Sequence, residues 1–358
     1  TPVFITQNLS KLLDVTPESI TVHQLRGGGG FGRRLSNEYV FEAALISRRI
    51  GAPVKLQWKR EDDMAFDYFR APTYYRLQGA LDRNGKLTGW KNLVAAASAD
   101  GEKANYGAGY SAFDFPGKVI PNVAIGQSFV PSKTPTGAWR APISNVYAFA
   151  EQSFIAEMAH NADQDHRDFL LDAIGDQGWI KEGDMASLNT ERARAVIETA
   201  TKAAGWGRKL AEGRGLGLAF FLSHSGHIAE VAEVSVEGKR ITVHDVWVAA
   251  DVGQVVNLSG LENQLQGSVV DGLSTMAAQT ITIKNGAIVQ SNYDQYPLLR
   301  MPQSPRVHVE VVDSGYRPTG AGEPALPPLA PAVCNAVFNA CGERIRALPI
   351  SKAGFTIV

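Results

Sequence analysis

Near the end of the chain an apolar residue recurs every four positions, at Leu329, Val333, Val337 and Cys341. That spacing predicts one buried stripe of a helix. At the other end, alternating β-branched residues at 20–25 predict a strand running into Gly27-Gly28-Gly29-Gly30-Phe31-Gly32-Arg33-Arg34. Ser36 or Asn37 then caps a helix to about Ile50, stopped by Gly51. Strands are expected at 53–58 and across 74–99, the latter a hairpin turning at Asp82-Arg83-Asn84-Gly85. Residues 104–121, rich in Gly, Pro and aromatics, read as an ordered loop. A strand at 123–130 and a helix at 144–161 follow. Shorter helices at 165–173 and 190–204 flank the best candidate boundary, dividing the chain into 1–175 and 176–358. Beyond it the pattern gives strands at 215–222, 229–236 and 241–248, a helix at 259–277, strands at 281–283 and 306–312, and the final helix. There is no regular βαβ alternation, so the pattern indicates an α+β fold of mixed sheets with helices.

At 358 residues the chain has room for one large or two medium domains. A net charge of −1 gives no electrostatic case for nucleic acid or an anionic membrane. No apolar run reaches the length of a transmembrane segment, nothing at the start reads as a signal peptide, and Thr1 reads as an interior start. The two cysteines, Cys334 and Cys341, lie two helical turns apart, about 10 Å along the axis. They are therefore expected to be packing residues rather than a disulfide. Two thiols also exclude an iron–sulfur cluster built by this chain alone. Of seven histidines, only His224 and His227 are close in sequence. Without a third ligand nearby, that pair reads better as a loop between two strands than as a metal site.

Candidate chemistry gathers on glycine-rich turns. In Gly320-Ala321-Gly322-Glu323-Pro324 a carboxylate sits between small residues and a proline-started apolar helix. Held rigidly and partly desolvated there, Glu323 is a candidate general base. The plainer reading is a glutamate stabilising a helix N-terminus. The four consecutive glycines at 27–30 expose backbone N–H groups before a helix, an anion-binding arrangement beside Arg33 and Arg34. It is neither a Walker A loop nor a Rossmann fingerprint. Gly137-Ala138-Trp139-Arg140-Ala141-Pro142 has the same character, as does the 251–258 loop before the helix carrying Gln264, Gln266 and Gly267. Phe31, Tyr106, Tyr110 and Trp139 are candidate pocket aromatics.

Together Thr6-Gln7-Asn8, the 27–34 loop, 137–142 with its helix, 251–272 and 320–349 resemble the large, molybdenum-cofactor-binding subunit of the molybdenum hydroxylases, the xanthine oxidase and aldehyde oxidase family. Within it the sequence is similar to the branch of isoquinoline 1-oxidoreductase beta subunits and related aldehyde dehydrogenases. The resemblance implies the molybdopterin-binding domains of that family. It implies Glu323 as catalytic base, Gln7 near the metal's oxo ligand, and Gly29, Gly30, Phe31, Gly32, Ala138, Trp139, Arg140, Gln264, Gly267 and Gly322 around the cofactor. The molybdenum would be held by the pterin, in its cytosine dinucleotide form, with no side-chain metal ligand. The implied reaction is hydroxylation of an N-heteroaromatic or oxidation of an aldehyde, with oxygen from water and electrons leaving to a small [2Fe–2S] subunit. The family's Gly-Gln-Gly cofactor loop occurs nowhere in this sequence. The resemblance therefore implies the C-terminal half of a permuted large subunit, completed by another polypeptide. The spacing from Gln7 to the glycine loop is shorter than in the family. A non-catalytic structural homologue is the alternative, and a nucleotide-binding enzyme built on the glycine loop a third.

Overall fold

A computed structural model describes residues 2–110, 115–116, 119–184 and 186–358. The parts of the expected 104–121 loop at 111–114 and 117–118 lie outside the described residues, as does Thr1. The chain begins with α1 (Pro2–Leu13), which packs on α2 (Glu38–Ile50), and continues through the short α3 (Arg60–Phe66). Gly51 ends α2 in the left-handed conformation, at φ 67°. The expected strands at 20–25 and 53–58 do not form. Both stretches lack regular structure and are largely exposed, with no described strand beside them to take up their backbone groups.

The hairpin β1 (Thr73–Leu81) and β2 (Leu87–Ser98) turns where expected, and β3 (Asn122–Pro131) joins β2 in parallel. Helices α4 (Ser144–Asn161), α5 (His166–Ile174) and α6 (Thr190–Ala203) follow. The central sheet then forms from β4 (Arg214–Ser223), β5 (Gly226–Glu237) and β6 (Arg240–Asp251). After α7 (Leu258–Ala278) the expected strand at 281–283 shrinks to a two-residue pair, β7 (Ile283–Lys284) with β8 (Ala287–Ile288). Strand β9 (Arg306–Val311) and, after α8 (Leu329–Cys341), strand β10 (Thr356–Ile357) both pair in parallel with β6.

Strands β4 to β6 are buried nearly throughout because both faces of the sheet are covered. One face packs on α7 and α8, with Ile228, Val246, Leu265 and Val333 among its contacts. The other packs on α4, α5 and α6 through Leu218, Val231, Ile155 and Val196. Helix α8 lies directly on β4. A Cβ on Gly217 would come 2.1 Å from Ala336 N, and one on Gly215 2.3 Å from Ala336 O. As the sheet's edge, β4 would leave backbone groups unpaired. Asn335 and Asn339 of α8 donate to Leu218 O (3.1 Å) and Leu216 O (2.7 Å), and Gln152 of α4 accepts from Phe220 N (3.0 Å).

Two details of the C-terminal stripe differ from expectation. Cys334 is buried, but Cys341 is exposed at the last turn of α8, beyond the sheet. The helix begins at Leu329 after turns at 324–328, with Pro328 at its N-cap, so Pro324 is not in its first turn. Glu323 therefore sits on a connecting turn, not at the helix mouth.

Candidate active site

The β4–β5 turn is Ser223-His224-Ser225-Gly226, with Ser223 and Gly226 paired across it. Its two central residues both lie in the left-handed region, His224 at φ 50° and Ser225 at φ 63°. That is the geometry of a tight hairpin turn, which ordinarily selects Asn and Gly. The turn is pinned to the 320–324 loop. Gly320 N donates to His224 O (3.2 Å), and a Cβ on Gly226 would lie 3.2 Å from Pro324.

This docking places His224 against Glu323, with Nε2 2.7 Å from Oε2. The other carboxylate oxygen accepts from Ala141 N at 3.1 Å. Glu323 is half-buried, as expected, yet its pKa is lowered from 4.5. The His224 hydrogen bond is the main cause, and with the Ala141 N–H and the nearby Arg140 charge it outweighs desolvation. The same hydrogen bond raises His224 above 6.5 against the effect of burial. The contact favours the charged form of each partner, carboxylate and imidazolium. Glu323 is thus an ionised carboxylate with both oxygens held.

Arg140 ties three segments together. Its Nε donates to Gly322 O (2.8 Å), Nη1 pairs with Asp271 (2.7 Å), and Nη2 donates to Gln264 O (2.9 Å) and Oε1 (3.3 Å). Two glycines border the junction. A Cβ on Gly267 would sit 3.6 Å from Arg140 Nη1, and one on Gly322 3.5 Å from Gln264 Oε1. Gln264 and Gly267 share the first half of α7, whose start is capped by Asn257 accepting from Gly260 N.

The glycine loop reaches the same region through Gly32. At φ 86° its Cβ would fall 1.8 Å from Ala138 O, so only glycine fits against Ala138 and Trp139. Trp139 packs under Arg70 at 4.8 Å. Gly28 has nothing within 4 Å of a built Cβ, and the ring of Phe31 lies over Gly29. Phe31 itself is 76% exposed. Arg33 is not a free anion ligand. It pairs with Glu38 and with Asp67 (2.8 Å) among the rings of Tyr39, Trp58 and Tyr68.

Gln7 stands apart. It is exposed on α1 and makes no hydrogen bond with the Arg140–Glu323 cluster. The 251–258 loop is anchored by Asp251, buried in a two-pronged pair with Arg192 at 2.8 Å and also accepting from Ser314 and Gly253 N. His227 points away from His224 and accepts from Asn189 N (3.0 Å), with burial pushing its pKa down to about 3. Among the described residues no cluster of His, Cys, Asp and Glu has metal-ligating form.

Sequence reasoning missed His224, Ser223, Ser144, Asp271 and Arg192. The one available signal was a Ser-His-Ser-Gly turn with histidine where asparagine or glycine is usual. Ser144 borders a cleft of about 640 Å³ lined also by Tyr110, Gln127, Phe129 and Ile143. Of the four candidate pocket aromatics, Tyr110 lines this cleft.

Molybdopterin cofactor-binding domains match residues 1–171 and 155–305 of this chain. The isoquinoline 1-oxidoreductase subunit beta of Brevundimonas diminuta is 30% identical over 363 residues, covering 96% of this chain and 44% of that protein. A membrane-bound aldehyde dehydrogenase [pyrroloquinoline-quinone] of Gluconacetobacter polyoxogenes is also 30% identical, covering 98% and 48%. The chain thus spans about half the length of these curated relatives. In fold, it superposes on quinoline 2-oxidoreductase from Pseudomonas putida 86 with a TM-score of 0.78 at 12% identity, covering 98% of this chain and 70% of that one. The two tandem matches, which together run over residues 1–305, show that the chain belongs to the molybdopterin cofactor-binding domain family.

Proposed function

We propose that this chain is the C-terminal half of the large subunit of a molybdenum hydroxylase that oxidises an aldehyde or hydroxylates an N-heteroaromatic, with Glu323 as its base. The observation that carries the reading is the ionised Glu323 carboxylate, held at both oxygens between Ala141 N–H and His224. Each of its oxygens retains a lone pair beyond those contacts. Glu323 can therefore accept the proton that an attacking water must lose, without first moving.

The residues present fit a bulky anionic cofactor. Gly28 has open space at its Cβ position, Gly29 and Gly30 lie beneath the movable side chains of Phe31 and Arg34, and Arg140 and Gln264 hold α7 and the 320s loop together. Gly29, Gly30, Phe31, Gly32, Ala138, Trp139, Gln264, Gly267 and Gly322 would line that group, with Arg140 acting mainly as the brace that fixes their spacing. Gln7 belongs to the same set by family resemblance. Bound there, a molybdenum–pterin centre supplies two-electron redox chemistry. We favour the cytosine dinucleotide form, whose extension suits glycine turns at helix starts. Residues 1–175 and 176–358 would be portions of two successive cofactor-binding domains.

A second polypeptide carrying the Gly-Gln-Gly loop would complete the site, and a small [2Fe–2S] subunit would take the electrons. Exposed Phe4, Leu25, Leu35 and Phe66 in the N-terminal segment support such a partner, since large apolar groups left open mark interfaces. The non-catalytic alternative is disfavoured by retention of the Glu323, Arg140 and Gln264 grouping. The test is Glu323→Gln. It should leave folding and molybdenum content unchanged while lowering turnover at least about a hundredfold. Equal turnover at matched molybdenum content would remove Glu323 as the base.

A further inference from the structure

Glu323 is the first member of a chain of side chains that leads away from the candidate site. His224 Nε2 is 2.7 Å from Glu323 Oε2, and its Nδ1 is 2.9 Å from Ser223 Oγ. Ser223 Oγ donates to Ser144 Oγ at 2.9 Å, and Ser144 borders the 640 Å³ cleft. All three links are within hydrogen-bonding distance. Imidazole and hydroxyl groups can each give one proton while receiving another. The imidazole spans the path, one nitrogen toward the carboxylate and the other toward the serines.

The backbone is bent to achieve this. His224 and Ser225 occupy left-handed conformations that glycine or asparagine would take at lower cost. Such strain persists where the surroundings enforce it. Here Gly320 N on His224 O and Pro324 beside Gly226 do so.

We propose that His224, Ser223 and Ser144 form a proton relay that couples proton uptake at Glu323 to proton release into the cleft. The proposal rests on the reading of Glu323 as the base. In the charged form of the pair, which the contact favours, an imidazolium faces a carboxylate. A proton taken up by Glu323 cancels the anion that holds the imidazolium. A proton then passes from Nδ1 to Ser223 Oγ, the Ser223 proton to Ser144 Oγ, and the Ser144 proton to water in the cleft. One proton enters and one leaves, no electrons move, and the pair has zero net charge before the uptake and after the release, with one positive charge between the two steps. The path reverses when Glu323 gives its proton up. The other charge that acts on the pair is Arg140, which favours the Glu323 carboxylate and is itself paired with Asp271. His227 is turned to Asn189. His224 acts through Glu323 and is a positioning residue rather than a catalytic one.

The experiment compares three variants in the purified, molybdenum-loaded assembly. His224→Gly keeps the turn, because glycine favours φ near 50°. Its kcat should fall at least about tenfold with KM nearly unchanged, and added imidazole should restore part of the loss. Ser223→Ala leaves the His224–Glu323 contact in place and should also lower kcat. An independent readout is diethyl pyrocarbonate labelling of His224 against pH, followed by mass spectrometry. Its midpoint should lie above 6.5 in the unmodified protein and in Ser223→Ala, and drop in Glu323→Gln. The relay is overturned if Ser223→Ala keeps full turnover, or if the His224→Gly loss is not rescued. In either case a deep loss in Glu323→Gln would leave the base assignment standing. Full turnover in Glu323→Gln would instead remove the assignment on which the relay depends.

Discussion

Glu230 on β5 has both carboxyl oxygens buried without a hydrogen-bond partner, and burial raises its pKa well above 4.5. The folded state therefore prefers the neutral acid. Its contribution to stability is fully present below 4.5 and is lost as pH rises from there toward the folded value. Glu230→Gln keeps the shape without the titration. It should raise the melting temperature at neutral and alkaline pH, with the gap closing as the buffer approaches pH 5. A gap independent of pH would show that Glu230 is not held neutral. The buried Arg192–Asp251 pair has the opposite character, because both partners are satisfied. Arg192→Met would strand the Asp251 carboxylate and should cost about 3–5 kcal/mol in denaturant unfolding. At this scale Glu323 and Arg140 were legible, since a lone charge among glycines is conspicuous. His224 was not. Its ring meets Glu323 only because a hairpin turn docks on a loop about a hundred residues downstream, and sequence spacing carries no trace of that contact.

At the scale of elements, the near-continuous apolar runs of β4 to β6 and the period-four stripe of α8 were readable because both faces of the sheet are covered and α8 packs on one of them. The stretches at 20–25 and 53–58 carry equally strand-like residues but find no described neighbour, so composition alone misled. Gly217 lies within the expected 215–222 strand, where nothing in the sequence sets it apart. The backbone of α8 lies 2.1 Å from where its Cβ would be. Gly217→Val should lift α8 from β4, detach Asn335 and Asn339 from the strand's carbonyls, and lower thermal stability sharply. Retention of the wild-type melting temperature would contradict this packing. Gly30→Val presents a milder obstacle, since its Cβ meets only the flexible Arg34 side chain at 3.3 Å. It should keep the fold and lose bound molybdenum. Full metal occupancy in that variant would make the loop purely structural.

At the scale of the molecule, the chain carries four of the loops that surround the proposed cofactor but spans about half of its relatives' length. The absence of Gly-Gln-Gly was visible in the sequence. The apolar residues left open on the first 66 positions were visible only once the fold showed what failed to cover them. An interface with the completing polypeptide should resemble a core cut in two and bury more than about 2,000 Å². Among the described residues no helix is long and apolar enough to cross a membrane.

Metal content of the native assembly, determined together with its mass, tests this account most directly. The assembly purified without denaturant should contain close to one molybdenum per copy of this chain, with pterin, a companion polypeptide and iron–sulfur clusters. Fully active material without molybdenum would contradict the central claim.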